Sequence, residues 1–130
     1  MKRLKFLVPA LAVVALMVGL IGTATAAPQP QLEKATASQK NALRAAESYL
    51  EYTAFSKKGL EKQLKFEGYS SSAAKYAASH VGANWFHQAA RAARAYLEYT
   101  SFSKSGLQHQ LEFEGFTTAQ ARFGVRRAYH

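Results

Sequence analysis

Few residues in this chain could do chemistry. It has eight acidic residues, all glutamate, four histidines and no cysteine. Without cysteine there is no thiolate nucleophile, no thiolate metal ligand and no disulfide. The glutamates that draw attention are Glu51 and Glu98, and Glu67 and Glu114, each pair 47 residues apart. Glycosidic hydrolysis needs two carboxylates facing across a cleft, one of them in apolar surroundings. These glutamates instead lie on helix-forming stretches among basic neighbours, the pattern of solvated helix faces. His80, His87, His109 and His130 include no i, i+4 pair, the spacing that aims two imidazoles at one metal. Ser56 and Ser103 have no histidine or acid spaced to activate them. The sequence therefore predicts no catalytic residues, no metal site and no cofactor: the chain reads as a non-enzyme.

The phenols and cations are better candidates for binding. Tyr49 with Tyr52, and Tyr96 with Tyr99, stand at i, i+3. One of each pair is expected to face the core and the other the surface, where an exposed tyrosine can anchor a protein or glycan. Arg44 and Arg91, and Lys57 and Lys104, recur as cations, with solvated surface as their default.

All these residues recur because one stretch is written twice. Residues 49–68 read YLEYTAFSKKGLEKQLKFEG and residues 96–115 read YLEYTSFSKSGLQHQLEFEG, at a gapless offset of 47. From Ala42–Gly68 against Ala89–Gly115, 19 of 27 positions are identical. The spacing predicts three short helices per copy. Asn41–Thr53 is rich in helix formers, with Leu43, Ala46, Leu50 and Thr53 as its apolar stripe; Ala90, Ala93, Leu97 and Thr100 repeat it. Phe55, Ser56 and Leu60, and likewise Phe102, Ser103 and Leu107, read as a hydrophobic staple around an N-cap. Gly59 and Gly106, inside the second helix, predict close approach of the first helix. Gly68 and Gly115 fit left-handed C′ positions, followed by Tyr69 and Phe116 and preceded by Leu64 and Leu111, the pair that meets in a Schellman motif. Ser70 and Thr117 then cap a third helix over about 71–81 and 118–128, Thr117 with Gln120 at capping-box spacing. Between copies, Val81–Gln88 is expected to run the third helix almost directly onward, with Trp85 and Phe86 packing at the junction. The fold class is all-α: two tandem three-helix repeats, 41–83 and 88–130. Units this short bury little apolar surface alone.

The front of the chain belongs to delivery. Lys2, Arg3 and Lys5 precede an uncharged apolar run from Phe6 to Gly22, and Ala24-Thr25-Ala26 supplies the small residues of a cleavage site. Residues 1–26 read as a secretory signal peptide, and 27–40 as a polar linker. If the segment stays uncleaved, it is the expected membrane contact. The full chain is formally +9; without the signal segment it keeps 14 basic against eight acidic residues, about +6. That favours solubility and attraction to anionic surfaces. Export argues against a nucleic-acid partner, and an intracellular DNA-binding helix-turn-helix protein would rest on charge and helix pattern alone.

The repeated unit resembles a known family. Ala46, Tyr49, Leu50, Phe55, Ser56, Gly59, Leu60, Gln63, Leu64, Glu67, Gly68 and Tyr69 are similar to the Ltp repeat of host cell surface-exposed lipoproteins, and Ala93 to Phe116 fits equally. The resemblance covers Asn41 to His130. It implies paired helix-turn-helix-like repeats displayed outside the cell. For prophage-encoded members it implies superinfection exclusion, blocking injection of phage DNA through contact with the phage tape measure protein. The chain departs from the pattern by lacking the lipidated cysteine, so a lipid anchor is not expected. Its third helices also depart: Ala73, Lys75, Tyr76, Ala77, Ala78 and Ser79 stand where members often read AxxYAVD, and the second copy is basic through Arg122, Arg126 and Arg127.

The expectation is a secreted or cell-surface interaction module whose partner is a protein, a phage injection component among the options. The alternative is a cell-envelope module holding wall polymer or anionic lipid through a basic face. Once caps and core are assigned, the repeated residues left over are Glu51, Tyr52, Lys57, Gln63 and Glu67, with Glu98, Tyr99, Lys104, Gln110 and Glu114. These ten form the expected partner-binding surface.

Overall fold

The computed structural model describes residues 35–130; the expected signal peptide and the linker up to residue 34 lie outside the described residues. Six helices follow: α1 (Ala37–Tyr52), α2 (Lys57–Phe66), α3 (Ser71–His80), α4 (Trp85–Tyr99), α5 (Lys104–Phe113) and α6 (Thr118–Ala128). The chain is all-α, three helices per repeat. It forms two compact units: residues 35–52 with Leu60–Val81, and Thr53–Gly59 with Gly82–His130.

The caps explain why the helices begin where they do. Ser56 Oγ accepts from Gly59 N at 2.8 Å and Ser103 Oγ from Gly106 N at 2.9 Å. Ser70 Oγ accepts from Ala73 N at 3.1 Å. Thr117 and Gln120 close the expected capping box, at 3.1 and 3.0 Å. A second box opens α1: Thr36 Oγ1 accepts from Gln39 N at 3.0 Å while Thr36 N donates to Gln39 Oε1 at 2.9 Å. The helix thus starts at Ala37, four residues before Asn41 and inside the stretch read as linker, because Thr36 and Gln39 satisfy orphan donors there.

Helix ends follow the expected motif. Tyr69 N donates to Leu64 O at 3.1 Å and Gly68 N to Lys65 O at 3.0 Å; Phe116 to Leu111 and Gly115 to Glu112 repeat both bonds at the same lengths. Gly68 and Gly115 both have φ 107°, where a side chain is strained. The continuous passage expected after α3 is broken instead. Gly82 takes φ 74°, and Asn84 Oδ1 restarts the chain as N-cap, accepting from Phe86 N and His87 N at 3.1 Å. Phe86 packs edge-on against Phe123 at 5.5 Å, within the second unit.

In the first unit α1 packs on α3. The buried face of α1 is Ala42, Ala45, Ala46 and Tyr49, against Ala73, Ala74, Ala77 and Ala78 of α3. This face is rotated from the expected stripe: Leu43 and Leu50 are half-buried and Thr53 lies beyond the helix. Alanine faces let the helices approach closely, so the larger leucines sit at the margin. In the second unit α4 packs chiefly on α6, and α5 inserts Leu107 and Leu111. Phe116, Ala121 and Val125 complete that core, with Tyr96, Phe102 and Tyr129 around it.

Gly59 and Gly106 are small for a different reason than the one expected. A Cβ on Gly59 would lie 3.0 Å from Ser56 Oγ and 3.4 Å from the Glu114 carbonyl; on Gly106 it would lie 2.9 Å from Ser103 Oγ. The cap, rather than the first helix, excludes a side chain. Gly124 marks the tightest helix contact, since a Cβ there would lie 2.6 Å from the Ala89 carbonyl oxygen. Gly124→Ala should therefore destabilise the protein by about 1–3 kcal/mol through overpacking, despite alanine's better helix propensity. Denaturant unfolding followed by far-UV circular dichroism measures it; an unchanged or raised midpoint would contradict the close approach.

Candidate functional site

Four of the ten expected surface residues, Gln63 buried and Glu67, Gln110 and Glu114 half-buried, belong to polar clusters around a tyrosine. In the second unit the Tyr96 hydroxyl donates to the Glu114 carboxylate. Gln110 Nε2 lies 3.3 Å from both the Tyr96 hydroxyl and Glu114 Oε2. The first unit repeats the arrangement: Gln63 Nε2 donates to Glu67 Oε2 at 3.0 Å, and the Tyr49 hydroxyl faces both side chains. Burial raises the Tyr49 and Tyr96 phenols well above their ordinary range. Burial likewise raises the Glu67 and Glu114 carboxyls, against the opposing effect of their tyrosine and glutamine donors. For these helix-end carboxylates a phenol and an amide supply the compensation. Gln63, Glu67, Gln110 and Glu114 recur because a buried tyrosine hydroxyl needs an acceptor. Their i, i+4 spacing was visible in sequence, but not that both pairs point at a tyrosine.

Ser56 adds a second function to its cap. Its hydroxyl donates to the Glu114 carbonyl at 2.6 Å while accepting from Gly59 N. This holds segment 53–59 against the turn of the second unit, and Phe55 N donates to Gln88 Oε1 at 3.3 Å beside it.

The other six candidates are exposed. Tyr52 and Tyr99 are 58% and 63% exposed, and Glu51, Glu98, Lys57 and Lys104 face solvent. In the second unit three of them gather. Glu98 and Tyr99 line an open groove with Leu97, Thr100, Ser101, Phe102 and Tyr129. Tyr129 anchors its wall by donating its hydroxyl to the Phe102 carbonyl, and Lys104 Nζ lies 5.5 Å from the Tyr129 ring centroid. A carboxylate, a phenol and an ammonium thus surround aromatic walls, a chemistry suited to a mixed polar and apolar segment of another protein. Tyr129 was missed by sequence reasoning because its counterpart 47 residues earlier is Gly82. Phe66 and Phe113, 71% and 81% exposed, lie inside the repeated motif and were not singled out from the sequence.

A family model for host cell surface-exposed lipoproteins, Lipoprotein_Ltp, matches residues 37–81 and 84–127, one segment per repeat. Among solved structures the chain is similar to Ltp, a superinfection exclusion protein from the Streptococcus thermophilus temperate phage TP-J34. The TM-score is 0.68 at 30% sequence identity, covering 72% of this chain and 97% of that one. No curated protein matches.

The half-buried carboxyls give stability a pH dependence of definite sign. Glu114 binds its proton more tightly folded than unfolded, as does Glu67. Their contribution is complete below the ordinary carboxyl value of 4.5 and is lost as pH rises through the higher folded values. Stability should therefore fall over that window, and Glu114→Gln, which keeps the hydrogen-bonding shape, should flatten the decline. Urea midpoints measured across the window test this; equal slopes in both proteins would show that Glu114 is not held as described.

Proposed function

Because the chain belongs to the Ltp family of host cell surface-exposed lipoproteins, matched across both repeats, we propose that it acts outside the cell as a non-enzymatic module excluding superinfecting phage. The observation carrying this reading is the match to a solved exclusion protein over 97% of that protein's length at 30% identity. The secretory pattern of residues 1–26 supports display beyond the membrane. With no cysteine in the sequence, no residue here can take the thioether lipid, so attachment must use other chemistry.

The proposed partner is a protein component of the incoming phage's injection machinery, and the proposed contact is the groove of the second unit. Tyr99 is the residue to weigh. It is largely exposed, so it contributes little to packing, yet it stands beside Glu98 and the Tyr129 wall. Exposed tyrosines of this kind carry about 2 kcal/mol or more where they anchor an interface.

Expression in a susceptible host should lower the plating efficiency of sensitive phage while adsorption stays normal. Tyr99→Ala should restore plating by roughly thirtyfold, the equivalent of a lost anchor, with an unchanged circular dichroism melt. Unaltered plating by the natural protein across a phage panel would remove the exclusion role. Full protection by Tyr99→Ala would remove the groove.

A further inference from the structure

We propose that the C-terminal end of α2 docks on an anionic lipid surface. The inference goes beyond the exclusion reading and needs no phage partner.

Phe66 is 71% exposed on the last residue of α2, although the helix already buries Leu60 and Leu64 completely. It is therefore not the margin of a core stripe. Lys62 and Lys65, both exposed, fall within an arc of about 100° on the same side of the helix. The neighbouring acids offset them only in part. Glu67 is engaged by Gln63 and faces Tyr49, while Glu61 lies about 40° around the helix from Lys65 and pairs with it in charge, leaving Lys62 and the exposed Lys58, also within the arc, as the excess. The result is one aromatic ring beside two long cationic side chains. A bilayer with anionic headgroups fits both parts at once: the ring enters the boundary below the headgroups, while the ammonium groups extend to the phosphates. An anionic polymer satisfies the lysines but offers no apolar layer for the ring.

The second repeat supplies an internal comparison. Phe113 is 81% exposed at the equivalent position, but its flanking residues are His109 and Glu112. Hydrogen bonding from Gln108 holds the Glu112 carboxyl below its usual range, so it is charged and repels an anionic surface. Charge complementarity favours the end of α2, where exposed lysines outnumber the flanking acid, over the end of α5.

The test floats the exported protein, in the form the host releases, with phosphatidylglycerol-containing vesicles and with phosphatidylcholine vesicles at low and high salt. Binding should be confined to the anionic vesicles and weaken with salt. Replacing Lys62 and Lys65 together by serine should lower partition about twenty-five-fold, at roughly fivefold per lysine. Phe66→Ser should cost about tenfold, and Phe113→Ser should leave partition near the natural value. All these positions are exposed, and coincident thermal melts confirm that the variants fold. Absent vesicle binding, unchanged partition of Phe66→Ser, or an equal loss in Phe113→Ser each overturns the proposal. So does binding to purified wall polymer that exceeds vesicle binding and ignores Phe66→Ser. Vesicle binding by a protein that excludes no phage would leave this inference standing and remove the exclusion reading.

Discussion

A carboxylate at the end of a helix, turned inward, is the constraint around which each repeat is built. Negative charge is unwelcome there twice over, because it leaves water and because it meets the negative pole of the helix. Each repeat solves this with a tyrosine from its first helix and a glutamine four residues back in its second. In the second unit, Tyr96 and Gln110 converge on Glu114, whose own carbonyl receives Ser56. The cluster ties the first helix of the repeat to the end of the second and fixes where the glycine turn begins. The turn then sets the start of the third helix. Losing Tyr96 would leave the half-buried Glu114 carboxylate without its phenol donor.

Much of the fold was legible in the sequence because it rests on local chemistry. Ser56, Ser103, Ser70 and Thr117 announce helix starts, and Gly68 and Gly115 announce stops, since each satisfies backbone groups a few residues away. The start of α1 was missed only because Thr36 and Gln39 lie in a polar stretch that reads as linker. What local chemistry cannot reveal is which side of a helix faces a partner element. Alanine is compatible with either side, so the buried face of α1 was placed one position off. Gln63, Glu67, Gln110 and Glu114 were read as a surface for the same reason: their partner is a tyrosine 14 to 18 residues away, beyond the reach of helical periodicity.

The two copies agree in their frame and differ at some of the positions that meet solvent. Caps, turns and polar clusters repeat nearly unchanged. Lys62 against His109, Lys65 against Glu112 and Gly82 against Tyr129 do not. One exposed helix end is thereby cationic and its counterpart is not; one repeat carries a tyrosine-walled groove and the other a glycine at that place. Duplication here supplies a shared frame with separately adjustable surfaces.

The contact of Gly124 with Ala89 carries a consequence for how such a protein can change over generations. Where helices meet backbone to backbone, no side chain mediates the fit, and the usable alphabet shrinks to glycine and, a turn away, alanine. This seam cannot be retuned by exchanging one bulky residue for another, as the part of the same core filled by Leu107, Leu111 and Phe116 can. Variation is channelled outward instead, to the rims and helix ends where it costs the frame nothing. Within this one chain the two helix ends already differ in that way, Lys62 and Lys65 standing where the other copy has His109 and Glu112.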